Sequence, residues 1–166
     1  MENEKNGKLS IKRAKAIKIE IKRIVDENPD LSFLETTAES HYGIDGSNWE
    51  HISEDDKQKA IIQYGSIWNA CEEYAKQDEK RLNDYDRGIY DMIGIVAVAT
   101  IHIPTDNGSD KSVKIQTIDS GGLWGIESDC DKKYMDDIGR EQIDEVKKYL
   151  RILCVEDIDR CEITTE

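Results

Sequence analysis

Residues 92–118 contain the pattern that most restricts the fold of this chain. Residues 92–103 are rich in β-branched side chains and start apolar on both faces, which is typical of a strand inside a sheet. Turn-forming residues follow at 105–110, where Asn107-Gly108 readily adopts positive φ. Residues 113–118 then alternate between apolar and polar side chains as a returning strand. The pattern predicts an antiparallel β-hairpin.

The hairpin leads into a glycine-rich segment, residues 119–129, with the sequence D-S-G-G-L-W-G-I-E-S-D. Glycine is favoured where the backbone needs positive φ or where another group approaches closely, so the segment is expected to have a defined shape. Leu123–Ile126 is predicted to form a short third strand entered by a Gly-Gly turn. Ser128 or Asp129 is predicted to cap the helix that follows.

Apolar residues spaced three and four apart predict an amphipathic helix over residues 9–25, with lysines on its other faces. Asn28-Pro29 is expected to end this basic helix, because proline disfavours helical geometry in the residue before it. Residues 30–52 are predicted to form a long irregular connector. Ser53, followed by acidic first-turn residues, predicts the start of a second helix that runs to about Asp84.

A last helix is predicted over residues 132–153, so the fold class is α+β: an antiparallel β-hairpin plus a short third strand packed with about three helices. Residues 1–8 are expected to be frayed and residues 9–166 to form a single domain. Within that domain, residues 9–52 hold the basic helix and the long loop, and residues 53–155 a helix–hairpin–helix core.

Charge is the strongest global property of the sequence. The net charge is −13, with about +5 on residues 1–24 and about −18 on residues 25–166. The acidic part is expected to repel nucleic acid and anionic membranes, and to favour either simple solubility or a partner with a basic surface. No apolar run approaches the length of a membrane span and no signal peptide is recognised, so a cytoplasmic protein is expected.

The sequence supports no catalytic residue, metal site or cofactor. Its four cysteines contain no C-x-x-C pair, and its three histidines stand far apart. The glycine-rich segment lacks the lysine of a phosphate loop and the G-x-S-x-G pattern of a nucleophile elbow. An enzyme of unrecognised type would need Trp124, Glu127, Asp129 and His102 to converge in a pocket, and remains a third hypothesis.

Part of the chain resembles a family of small acidic proteins encoded by bacteriophages and other mobile elements of bacteria. The resemblance covers roughly residues 80–155 and is strongest in the I-Q-T-I-x-S-G-G-L-W-G-I-E-S-D segment. It also includes residues 85–90, the strand at 93–99 and the closing acidic helix with Glu141 and Glu145. The resemblance implies no known activity and no catalytic residues. It does imply a protein that acts by binding host machinery in the bacterial cytoplasm.

The leading hypothesis is therefore a non-enzymatic binding protein that inhibits a host nucleic-acid-targeting defence complex, of the anti-CRISPR or anti-restriction type. Its partner would be a basic-surfaced host protein, such as a nuclease or CRISPR effector. The alternative is a small regulatory nucleic-acid-binding protein that uses the basic N-terminal helix. Self-association stays open. The predicted partner-binding residues are Trp124, Glu127, Asp129, Glu72, Glu73 and Asp78.

Overall fold

The computed structural model describes residues 13–105 and 113–165, which group into two compact units. The sheet unit comprises residues 13–26 and 92–165, and the helical unit comprises residues 27–91. The chain leaves the sheet unit at Asp26 and returns at Met92, where the Asp26 N–H donates to the Met92 carbonyl at 2.8 Å. The helical unit is therefore an insertion between two strands, and the predicted α+β class is confirmed.

The described chain has five strands, four α-helices and one short 3₁₀ helix. The strands are β1 Lys15–Val25, β2 Met92–Pro104, β3 Val113–Asp119, β4 Leu123–Glu127 and β5 Glu162–Thr165. The helices are α1 Ala38–Tyr42, α2 Glu54–Tyr64, α3 Ile67–Asp86 and α4 Lys132–Ile152, with the 3₁₀ helix Ile44–Trp49 after α1.

The strands form one mixed sheet in the order β3-β2-β1-β5. β2 pairs antiparallel with β1 on one side, and β5 joins the far edge of β1 in parallel. On its other side, β2 pairs first with β4 and further along with β3, both antiparallel. The predicted hairpin and short third strand are thus confirmed, and the turn residues 106–112 lie outside the described residues.

The predicted basic helix is wrong over the described part of its range, because residues 15–25 form β1 instead. Ile17, Ile19 and Ile21 alternate with charged residues, and a period of two suits a strand better than a helix. Ile19 and Ile21 are buried in the core of the sheet unit, whereas Ile17 is 40% exposed at an irregularity in the β1–β2 pairing. Residues 9–12 lie outside the described residues.

The core of the sheet unit lies where α4 packs on one face of the sheet. Val146 and Leu150 of α4 are fully buried there, together with Ile19 of β1 and Ile95 of β2. The predicted last helix is confirmed, but its predicted caps are wrong. Asp131 is the N-cap residue, and its carboxylate accepts the Lys133 N–H at 2.6 Å.

In the helical unit, the single helix predicted over residues 53–84 is instead two helices, α2 and α3. Ser53 is confirmed as the first N-cap, since its hydroxyl accepts the Asp56 N–H at 3.2 Å. Gly65 then adopts a φ of 86° and ends α2. Ser66 begins α3 by accepting the Asn69 N–H at 3.1 Å. Glycine takes this left-handed conformation at little cost, which is why the break occurs at Gly65.

Candidate functional site

The predicted partner-binding residues fall on both units, three on each. In the sheet unit, Trp124 and Glu127 lie on β4 and Asp129 lies in the turn before α4. In the helical unit, Glu72, Glu73 and Asp78 all lie on α3. Each set of three is therefore described within its own unit.

Trp124 has a structural role in the sheet unit. Its indole ring lies over Gly94 of β2, so close that a Cβ on Gly94 would stand 2.5 Å from Cε3 of the ring. The indole N–H donates to the Gly121 carbonyl at 3.0 Å. Even so, Trp124 remains 44% exposed. The ring therefore fastens the β3–β4 turn to β2 through its packing on Gly94 and its hydrogen bond to Gly121. Part of its aromatic surface remains exposed to solvent.

The Ser-Gly-Gly turn before Trp124 is built into the core. The Ser120 hydroxyl accepts the Ala97 N–H at 3.1 Å and donates to Oε1 of Gln142 on α4 at 2.7 Å. Ser120 and Gln142 are both buried. Gly122 adopts a φ of 80°, and a Cβ there would stand 2.5 Å from a methyl of Val96. The distinctive sequence of this segment is thus explained by close packing between β2, the turn and α4.

Replacing Gly94 with alanine is expected to displace the Trp124 ring and lower the free energy of unfolding by about 2 kcal/mol, as other overpacking substitutions do. The indole N–H resonance of Trp124 and the urea midpoint measure the two effects. In a Trp124→Ala background the space is open, so the same Gly94→Ala change should cost much less. Equal costs in the two backgrounds would show that the ring does not constrain Gly94.

Within the described residues, Trp124 and His102 lie too far apart to share one pocket. Burial, and then the nearby carboxylates led by Asp129, raise the pKa of the Cys130 thiol, so it stays protonated. His102 lies eight residues along β2 from Gly94, about 26 Å from the Trp124 ring at the usual rise of a strand. In the described ranges, no three His, Cys, Asp or Glu side chains are placed to hold a metal ion.

The acidic residues of α3 differ in their surroundings. Glu72 is exposed and accepts from the Trp68 indole N–H at 3.3 Å, whereas Glu73 pairs with Lys76 at 2.5 Å. Asp78 is half-buried and accepts the backbone N–H of Glu35 at 2.9 Å. It therefore ties the connector to α3, and a substitution there would alter the fold as well as the surface charge.

The helical unit concentrates negative charge. Residues 27–91 contain 16 acidic and 6 basic side chains, a net charge of −10. Its four lysines each pair with a carboxylate three or four residues away on the same helix, at 2.5–2.7 Å. A fifth cation, Arg81, lies over the Tyr90 ring at 3.7 Å from its centroid. Five of the six basic side chains are thus engaged locally, while the acidic ones remain in large excess.

Both units also contain cavities. The cavity in the sheet unit has a volume of about 330 Å³ and lies between α4 and the sheet, with Arg23 and Arg140 beside an apolar floor of Ile21, Ile95, Met135 and Ile143. One cavity in the helical unit has a volume of about 350 Å³ and is lined by His41, Asn48, Trp49, Ile52, Asp56 and Tyr74. Sequence reasoning missed both, because their walls come from separate elements.

Comparison with protein-family models, with curated proteins and with solved structures finds no match to this chain. None of the helices in the described ranges combines the length and the apolar character needed to cross a membrane. The candidate binding site is therefore identified from the geometry and charge of this chain alone. Of the two units, the acidic helical unit is the stronger candidate for a binding surface.

Proposed function

We propose that this chain is a non-enzymatic binding protein whose acidic helical unit occupies a positively charged nucleic-acid site on a host defence protein. The partner class is a basic nuclease or effector of the restriction or CRISPR type, and the chain is a phage- or mobile-element-type inhibitor. The alternative function, nucleic-acid binding through a basic N-terminal helix, is no longer supported, because residues 15–25 form a strand of the sheet.

The observation that supports this proposal most strongly is the net charge of −10 on residues 27–91. A surface of one sign steers an oppositely charged partner and makes association fast and salt-sensitive. The same field opposes binding to DNA or RNA. The biological setting we propose is a mobile element of bacteria, in which a basic site on the host's nucleic-acid-binding machinery is the natural counterpart.

The test is competition for nucleic acid. Purified restriction endonucleases and CRISPR effectors are loaded with fluorescent duplex DNA, and release of the DNA by this protein is followed by anisotropy at two salt concentrations. We expect release from at least one enzyme, with weaker competition at the higher salt. If the protein releases DNA from none of them, the proposal is contradicted.

Charge variants then locate the surface. Neutralising four exposed acids of the helical unit together, Glu39→Gln, Glu50→Gln, Glu79→Gln and Asp86→Asn, is expected to weaken competition about tenfold. The matched control neutralises four exposed acids of the sheet unit, Asp136→Asn, Glu141→Gln, Asp144→Asn and Glu162→Gln. Both sets change the total charge equally, so an equal loss would show that net charge, and not the helical unit, governs binding.

A further inference from the structure

The cavity lined by Trp49 and Tyr74 in the helical unit has walls that suit a planar cation. The Trp49 and Tyr74 rings that line it are nearly parallel, with an angle of 5° between them and centroids 6.4 Å apart. His41 and Tyr64 stand edge-on to Tyr74, at 6.0 and 5.8 Å. At about 350 Å³, the cavity is within the range of small-ligand sites and could enclose a long side chain.

The aromatic walls are held in place and stay uncharged. The Trp49 ring packs parallel to Tyr74 of α3, whose ring is also contacted edge-on by His41 and Tyr64. Burial, followed by the neighbouring Tyr64 and Cys71, raises the pKa of Tyr74, so its phenol remains neutral at physiological pH. The faces of both rings carry partial negative charge, which attracts a cation placed against them.

Carboxylates surround the cavity as well. Asp56 is one of its lining residues, and hydrogen bonds from Lys59 and Ser53 lower its pKa, so it is ionised at neutral pH. Asp78 lies 3.2 Å from Nε2 of His41, and Glu35 lies 3.8 Å from Nδ1 of the same ring. Lys59 binds Asp56 at 2.6 Å, but the side chains of both are largely exposed, so an incoming cation can compete for that carboxylate.

We propose that this cavity binds an arginine side chain of the basic partner, with the guanidinium against the Trp49 and Tyr74 rings and directed to the Asp56 carboxylate. Arginine fits better than lysine, because its guanidinium is planar, weakly hydrated and able to stack on aromatic rings while donating to a carboxylate. The inference rests on the proposed function for the origin of the arginine, but the cavity can be tested on this chain alone.

The probe is Nα-acetyl-arginine amide, titrated into the full chain while the Trp49 indole N–H resonance is followed by NMR. Nα-acetyl-citrulline amide has nearly the same shape without the charge and serves as the control ligand. We expect a saturable shift, with an affinity about 3- to 10-fold higher for the arginine compound. No saturable shift, or equal affinity for the two compounds, would overturn the proposal.

Two matched pairs of variants test the named contacts. Asp56→Asn should weaken arginine binding about 3- to 10-fold, whereas Asp55→Asn removes the same charge from an exposed neighbour outside the cavity and should leave affinity within twofold. Lys59→Ala should tighten binding about twofold by releasing Asp56, whereas Lys57→Ala, which releases Glu54, should not. Equal effects within either pair would refute the assignment.

The two proposals fail in different ways. Arginine binding at the cavity without DNA release from any enzyme would overturn the proposed class of partner and leave the cavity assignment standing. Conversely, DNA release by a protein that shows no saturable arginine shift would overturn the cavity assignment alone.

Discussion

Leu150→Ala should lower the free energy of unfolding of the sheet unit by about 3 kcal/mol. Leu150 is fully buried on α4, in the cluster that also contains Val146 and the core residues of β1 and β2. Truncating a buried leucine loses its transfer free energy and leaves a cavity that neighbouring side chains fill only in part. Hydrogen exchange of the β2 amides at increasing urea measures this loss in the sheet unit itself.

The control for this prediction lies two residues away on the same helix. Ile152 is 69% exposed, so Ile152→Ala should change the free energy of unfolding by less than about 0.5 kcal/mol. If both substitutions cost the same, α4 does not pack on the sheet through the face that contains Leu150. A cost at Leu150 below about 1 kcal/mol would have the same meaning.

Ser120→Ala should lower the free energy of unfolding by about 2–3 kcal/mol, although it removes a single oxygen atom. The hydroxyl of Ser120 is the acceptor for the Ala97 N–H and the donor to Gln142 Oε1, and all three residues are buried. Removing it leaves two buried polar groups without this partner, and each costs about 1–3 kcal/mol when unsatisfied. Urea unfolding followed by far-ultraviolet circular dichroism measures the total.

A double variant separates the lost hydrogen bonds from the lost volume. Replacing Gln142 with methionine in the Ser120→Ala background removes the second polar side chain, so part of the lost stability should return. If Gln142→Met makes the Ser120→Ala protein less stable still, the buried pair does not account for the serine. This experiment tests directly whether the glycine-rich segment is specified by packing in the fold.

The sequence predicts well those elements whose signal is local. β2 and β3 follow from β-branched runs separated by turn residues, β4 from the apolar residues after a Gly-Gly turn, and α4 from apolar residues at helical spacing. β1 is not predicted, because its isoleucines are compatible with two patterns. They fit the period of two of a strand well, but they also fit the spacing of an amphipathic helix approximately, and the helix is predicted. β5 has four residues and pairs with β1, a strand far earlier in the chain, so no pattern within its own sequence predicts it.

The candidate site shows the same division. The acidic excess in residues 27–91 is a property of composition, so counting charged residues is enough to find it. The roles of individual side chains cannot be found in this way, because they depend on partners distant in sequence. Asp78 resembles an ordinary surface acid, yet it binds the backbone of Glu35, 43 residues earlier. Trp124 resembles a contact residue, yet its ring lies over Gly94.

The sequence by itself determined the α+β class, the hairpin and the last helix, and the strongly acidic character on which the proposed function rests. Hydrophobic period, turn chemistry and net charge are local or additive, so they need no knowledge of distant contacts. The tertiary structure alone decided that residues 15–25 are a strand and that Trp49, Asp56 and Tyr74 share one cavity. Both outcomes depend on pairing and packing between segments far apart in the chain, which the pattern within any one segment does not encode.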